Sequence, residues 1–224
     1  MQMRKQYILL FTAIVVPAVV MSFISGRYIF YRTIPAVIIL NPSPVPFNLD
    51  NHPGEGSADA PVTLIEFSDL ECRHSLKAHS TIKRILKNEK YTGRIKYYFK
   101  SYPLKGHTHA PLLGKAILAA GAQAKAAEMR EALFTRLAVL TSENDTSYAD
   151  VILQCAGALS LDTAVFRSAI VSDEMDSLLA RDIADGKKHR VRATPTIFIN
   201  GHAVVGAKEP IVYEAVINKF LSRI

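Results

Sequence analysis

Two short stretches of the sequence carry residue types able to do covalent chemistry. The first is Glu66-Phe67-Ser68-Asp69-Leu70-Glu71-Cys72-Arg73-His74-Ser75, and the second is Arg192-Ala193-Thr194-Pro195-Thr196-Ile197-Phe198-Ile199-Asn200-Gly201. Cys72 stands where a β-rich run hands over to a segment with helical spacing. Unpaired N–H groups at a helix start, and the positive end of the helix dipole, favour a thiolate over a thiol. Arg73 and His74 add positive charge beside it. A thiolate attacks disulfides by exchange. An inert, buried cysteine used as a small apolar side chain is the plain alternative, and it sits poorly beside an Arg-His pair. In the second stretch Pro195 directly precedes a strand, where proline is no ordinary central-strand residue. A cis bond in a tight turn fits that place, although trans turn prolines are far commoner.

The elements that must position these residues are set by periodicity. Val62 to Phe67 is a buried strand. Ser68 and Asp69 end it and are suited to cap the next helix. Between Cys72 and Asn88, Leu76, Ala78, Ile82, Ile85 and Leu86 recur at helical spacing. Gly93 breaks that pattern, Arg94 to Lys100 reads as a second strand, and Pro103 and Gly106 close it. An Ala-rich region from His109 to Ala184 predicts three to five helices, interrupted at Pro111, across residues 141–147 and at Leu161–Asp162. Thr196 to Ile199 is a strand, Asn200–Gly201 a type I′ hairpin signal and Ala203 to Val205 its partner. Glu209 to Leu221 is a closing amphipathic helix. The order predicts an α/β fold: one sheet flanked by helices, a parallel right-handed first crossover, and a helical insertion at about 107–186.

The chain has 224 residues, 49% hydrophobic and 21% charged, which excludes a disordered chain. Two cysteines, Cys72 and Cys155, exclude a disulfide-stapled scaffold and a four-cysteine zinc site. Of the formal +7 charge, residues 54–224 carry 23 basic and 19 acidic side chains, a modest excess that needs no nucleic acid to explain it. Tyr7 to Ile24 is a run of eighteen residues without a charge, preceded by Arg4 and Lys5, and long enough to cross a bilayer. No good small-residue cleavage site comes after it, so an uncleaved signal anchor is favoured over a cleaved signal peptide. The expected organisation is a short tail at 1–6, the anchor or signal peptide at 7–25, a Pro-rich linker at 26–53 and a soluble domain at 54–224.

That domain resembles the DsbA-like thiol–disulfide oxidoreductases of the bacterial envelope, which have a thioredoxin fold. The resemblance rests on APVTLIEFSDLEC, on the helical insertion and on ATPTIFINGHAVVGA, and covers about three quarters of the chain. It implies that Cys72 is the nucleophile and Pro195 the cis-proline. Thr194 would contact substrate through its backbone, Glu66 would be the buried acid that shuttles protons, and His74 would tune the thiolate. It also implies cysteine-containing envelope proteins as substrates, a membrane or envelope thiol as reductant, and no cofactor. The domain would lie in the periplasm, anchored to the inner membrane, or free in the periplasm if the leader is cleaved.

One departure bears on mechanism. The family pattern is C-x-x-C, and here Ser75 replaces the second cysteine. Serine cannot form a disulfide, though its hydroxyl can donate a hydrogen bond to a thiolate. The site would act as a monothiol isomerase or reductase through a mixed disulfide at Cys72; the alternative is a redox-inactive peptide-binding or chaperone module. Cys155, among apolar residues in the insertion, reads as a packed helix cysteine. His74 and His79, five residues apart, share no helix face, so no metal site is expected. His107 and His109 read as a helix-entry loop. The basic residues from Lys77 to Lys100 read as a solvated face with lipid contact as a minor reading. The run at 187–192 reads first as a solvated helix end, with Arg190 or Arg192 as charges able to act on the thiolate as the lesser reading.

Overall fold

The computed structural model describes residues 42–43, 45–50, 52, 54–139 and 147–223. The apolar leader lies outside the described residues. The element order is β1 (Val62–Ser68), α1 (Arg73–Leu86), a short 3-10 turn (Glu89–Tyr91), β2 (Ile95–Ser101), α2 (Ala110–Gly121), α3 (Ala126–Leu137), α4 (Tyr148–Ala158), α5 (Thr163–Ile170), α6 (Asp173–Lys188), β3 (Thr196–Ile199), β4 (His202–Val205) and α7 (Pro210–Leu221). The five helices α2–α6 are the insertion.

The four strands form one sheet in the order β2-β1-β3-β4. β1 pairs with β2 in parallel and with β3 antiparallel. Flanked by strands and covered on both faces, β1 is buried at every residue but Thr63, which is why its sequence is apolar apart from Thr63, Glu66 and Ser68. The β3–β4 hairpin turns at Asn200 and Gly201, with φ of 44° and 82°. Two successive positive φ values are what a type I′ turn needs, and Asn-Gly meets that need at little steric cost.

One face of the sheet gathers Ile65, Phe67, Val191, Phe198 and Ala203, with Phe47, Leu49, Tyr98 and Tyr102 packed against them. Phe47 and Leu49 belong to the stretch expected to be a free linker. Instead, the described residues of 42–56 form a strap across the domain. Ser43 N–H donates to Gly201 O at 3.0 Å, and Glu55 pairs with the outer edge of β2 at Tyr97. The Phe47 ring stacks on His189 with centroids 3.7 Å apart. Prolines forbid a helix here but not a docked extended strap.

The strap lies on a buried charge cluster, which also corrects the reading of Lys100 as part of a solvated face. Lys100 is 1% exposed, and its Nζ lies 3.1 Å from Asp182 Oδ1 and 3.1 Å from Asp185 Oδ2. Nζ also donates to Asn48 O, while Asn48 N–H donates to the Asp185 carboxylate at 3.3 Å. Ser101 N–H donates to Asp182 Oδ2 at 3.0 Å, and His52 Nε2 lies 2.7 Å from Asp182 Oδ1. Edge strand, helix α6 and strap are thus tied together by one cation and two carboxylates. Gly186 lets α6 approach closely, since a Cβ there would meet the Tyr102 ring at 2.4 Å.

Removing one partner of a buried ion cluster strands the others in a low dielectric. Lys100→Ala is expected to cost about 3–5 kcal/mol of stability. The exposed control Lys105→Ala should cost less than about 0.5 kcal/mol. Denaturant unfolding checks both.

Candidate functional site

β1 ends at Ser68, and a short loop later Cys72 is the N-cap of α1. Its backbone is extended, its side chain makes no capping bond, and the first turn of the helix contains no acid. Cys72 N–H donates to Asp69 O at 3.0 Å. The thiol Sγ donates to Thr194 O at 3.4 Å, and Cys72 is 8% exposed. The Thr194–Pro195 peptide bond is cis. Pairing of Phe67 with Thr196 sets the proline level with the end of β1, and Gly206 N–H holds Pro195 O at 2.7 Å. Two stretches more than a hundred residues apart in sequence therefore meet at one sulfur.

Ser75 lies one turn into α1 and is fully buried. Among the described residues its hydroxyl accepts from Asp69 N–H at 3.2 Å and makes no bond to the Cys72 sulfur. Arg73 and His74 are exposed on the first turn, and Arg190 and Arg192 are exposed beyond α6.

Two acids organise the loop: Asp69, which the sequence marks only as a cap, and Glu71, which it leaves as a flanking residue. Asp69 is 1% exposed. Its Oδ1 accepts from Glu71 N–H at 2.8 Å. Its Oδ2 accepts from Leu104 N–H at 2.7 Å and lies 2.8 Å from His107 Nδ1. Glu71 Oε2 accepts from the N–H groups of His109 and Ala110 at 2.7 and 2.6 Å, capping α2. The insertion is thus bolted to the Cys72 loop by two carboxylates. The His107 and His109 positions were the available signal: a helix-entry loop after β2 needs acceptors for its free N–H groups.

Glu66 is fully buried beside Tyr97, whose OH donates to Glu66 Oε2 at 2.8 Å; Oε1 has no protein partner among the described residues. Burial, then the Glu66 charge, push the Tyr97 hydroxyl well above its ordinary value. The Arg130 guanidinium lies 5.1 Å from the Tyr97 ring centre and pairs with both Glu55 oxygens. His79 on α1 stacks on Phe134 and has Nε2 3.0 Å from Glu131 Oε2. No group of three metal-ligating side chains occurs among the described residues. Cys155 is buried in α4, and burial pushes its thiol up. Both cysteines are free. A cleft of about 650 Å³ lies elsewhere, walled by Phe99, Ile117, Arg130 and Met175, and Cys72 is not part of it.

The sequence matches the thioredoxin family over residues 50–219. The chain belongs to the thioredoxin family. Its fold is that of Wolbachia pipientis alpha-DsbA1, with TM-score 0.69 and 21% identity over 79% of this chain and 94% of that one. A thioredoxin-like oxidoreductase from Silicibacter pomeroyi DSS-3 superposes with TM-score 0.65 and 20% identity over 77% and 94% of the two chains. Among curated relatives, the Na(+)/H(+) antiporter NhaA 3 of Salinispora tropica is 30% identical over 158 residues, 70% of this chain. This thioredoxin-family chain spans about a quarter of the length of the curated relatives it matches, 23% in that case.

With Cys72 at a helix start and Cys155 buried with a raised thiol pKa, iodoacetamide should modify Cys72 at least about tenfold faster in the native protein. Peptide mass spectrometry reads the ratio. His79 and His189 both have pKa values lowered chiefly by burial. The folded state holds them neutral, so the unfolded chain takes up protons first. Their contribution to stability is full above about pH 6.5 and is lost as the pH falls through that value, by at most about 1.4 kcal/mol per pH unit for each. The denaturant midpoint should drop on acidification below that point, and less steeply in the His79→Gln variant.

Proposed function

We propose that this protein is a thiol–disulfide exchange protein of the cell envelope, acting through a mixed disulfide at Cys72. The observation that carries the reading is Cys72 Sγ at the Thr194 carbonyl, beside Pro195, with Ser75 buried where a second thiol would stand. As a thiolate, Cys72 attacks one sulfur of a substrate disulfide. A Cys72–substrate S–S bond forms, the substrate S–S bond breaks, and the released thiolate takes a proton from solvent.

Ser75 has no sulfur with which to resolve that intermediate. Its hydroxyl holds the Asp69 N–H and so shapes the loop. Release comes from another thiol. If the attacking thiol belongs to the same substrate, the outcome is isomerisation with no net change in oxidation state. If small envelope thiols do it, the first attacks the Cys72 sulfur and frees the remaining substrate thiol, a second then displaces Cys72, and the two thiols leave as one disulfide with the substrate reduced. The Thr194 carbonyl, beside Pro195 and next to half-buried Ala193 and exposed Arg192, is suited to hold an extended substrate segment by backbone pairing. Glu66 is the buried acid of the site, and His74 the exposed imidazole at its mouth. The apolar run at 7–24 anchors the chain at the inner membrane with the domain in the periplasm.

The test is trapping. Native protein incubated with a disulfide-bonded envelope extract and quenched with acid should yield adducts at Cys72, and Cys72→Ala should yield none. Ser75→Cys should form an internal disulfide and shorten the lifetime of the adducts by a factor of about ten or more. Full cellular function in Cys72→Ala would instead favour a redox-inactive peptide-binding module.

A further inference from the structure

We propose that the end of the sheet opposite Cys72 docks on the anionic headgroups of a phospholipid bilayer and so turns the Cys72 mouth away from it. The proposal rests on the reading of residues 7–24 as a membrane segment, and it concerns a surface the thiol chemistry does not use.

Cys72 and Pro195 lie at the C-terminal end of β1. Its N-terminal end is marked by Val62 N–H donating to Arg94 O at 3.2 Å and Asn200 N–H donating to Thr63 O at 2.9 Å. Helix α1 starts at the Cys72 end and returns to this one, carrying Arg84 and Lys87, which share a shallow surface depression with Asn88. Helix α7 runs the same way. Lys77 meets Glu209 near its start at 3.0 Å, and Tyr91 OH donates to Asn218 near its finish at 3.3 Å. Arg84, Lys87, Lys90, Arg94, Lys219 and Arg223 are therefore gathered at one end, and all six are exposed.

Against these six exposed cations stand the exposed Glu89 and Asp59, a local excess of four, and half-buried Lys96, paired with Thr63, lies at this end too. Residues 54–224 as a whole carry a formal excess of four, so the positive charge of the domain is concentrated here. Helix dipoles account for cations at Arg84, Lys87 and Lys219, in or next to the last turns of α1 and α7. Lys90, Arg94 and Arg223 lie outside the α-helices, and the dipole gives no reason for them.

The occupant is indicated by the course of the chain. The strap reaches the domain at this same end, where Ser43 N–H meets Gly201 O. Because the strap is docked, only residues 25–41 separate the apolar run from Pro42. Seventeen residues reach at most about 60 Å when fully extended. A surface rich in Lys and Arg held that close to a bilayer is drawn to phosphate-bearing anionic headgroups within a Debye length of about 10 Å. The seven residues of β1 span about 20 Å, so the Cys72 mouth stands clear of the headgroups and open to soluble substrates.

The test uses the full chain reconstituted with vesicles of phosphatidylcholine alone or of an equal mixture with phosphatidylglycerol. Amine acetylation is read lysine by lysine. The expected result is acetylation of Lys87, Lys90 and Lys219 slowed several-fold on the anionic vesicles and restored by high salt, with exposed Lys105 and Lys187 unchanged. Lys87→Glu with Lys90→Glu should weaken the salt-sensitive protection of Lys219 by about fivefold per cation removed, with Cys72 alkylation unaltered. Equal labelling on both lipids overturns the proposal, and this is also what an acidic protein as the occupant would give. Flotation with neutral vesicles at high salt reports the anchor separately. A chain that fails to float there yet is protected on anionic vesicles loses its anchor and keeps the docking surface.

Discussion

Antiparallel pairing of β1 with β3 is the constraint on which the site depends. Because the two strands run in opposite directions, the C-terminal end of one and the N-terminal end of the other coincide. The first delivers Cys72 to the start of a helix, and the second delivers the Thr194 carbonyl and Pro195 to the same place. A sulfur at a helix N-cap with no acid in the first turn, against a backbone carbonyl, is equipped to enter a disulfide. Without a second thiol it is not equipped to leave one unaided. In the proposed function the chemistry is therefore divided between this chain, which forms the mixed disulfide, and a separate thiol that resolves it.

The rest of the domain fixes that meeting point from two sides. Asp69 and Glu71 bind the loop before Cys72 to the entry of the helical insertion. On the opposite face of the sheet, Lys100, Asp182 and Asp185 tie the edge strand to α6 and to the strap. Buried charge is costly to assemble and costly to disturb, so the cluster holds a defined arrangement rather than a loosely packed one. Its consequence for the chain as a whole is geometric. Docking of the described residues of 42–56 shortens the span of sequence between the apolar leader and the docked domain.

The architecture was legible where local pattern decides it. The apolar run at Val62–Phe67, the helical spacing after Cys72, the Asn200–Gly201 turn and the closing helix each announce themselves within a few residues. Cys72 and Pro195 stood out because each occupies an unusual place between elements. What escaped was long-range. Lys100 looks like one more cation in a basic stretch, and nothing nearby reveals that Asp182 and Asp185, on one face of a distant helix, come to meet it. Asp69 passes for an ordinary cap and Glu71 for a flanking residue, because their partners lie some forty residues downstream. The strap has no periodicity at all; it is held through backbone groups, Phe47 and His189, none of which a pattern of apolar residues marks.

The most direct measurement is the rate at which Cys72 exchanges with oxidised glutathione in the folded chain, set against the same chain unfolded in denaturant at the same pH, with adducts located by mass spectrometry. The account predicts faster exchange in the folded state, one glutathione per chain, carried by Cys72. Exchange no faster than in the unfolded chain would contradict it, because the fold would then contribute nothing to the reactivity of that sulfur.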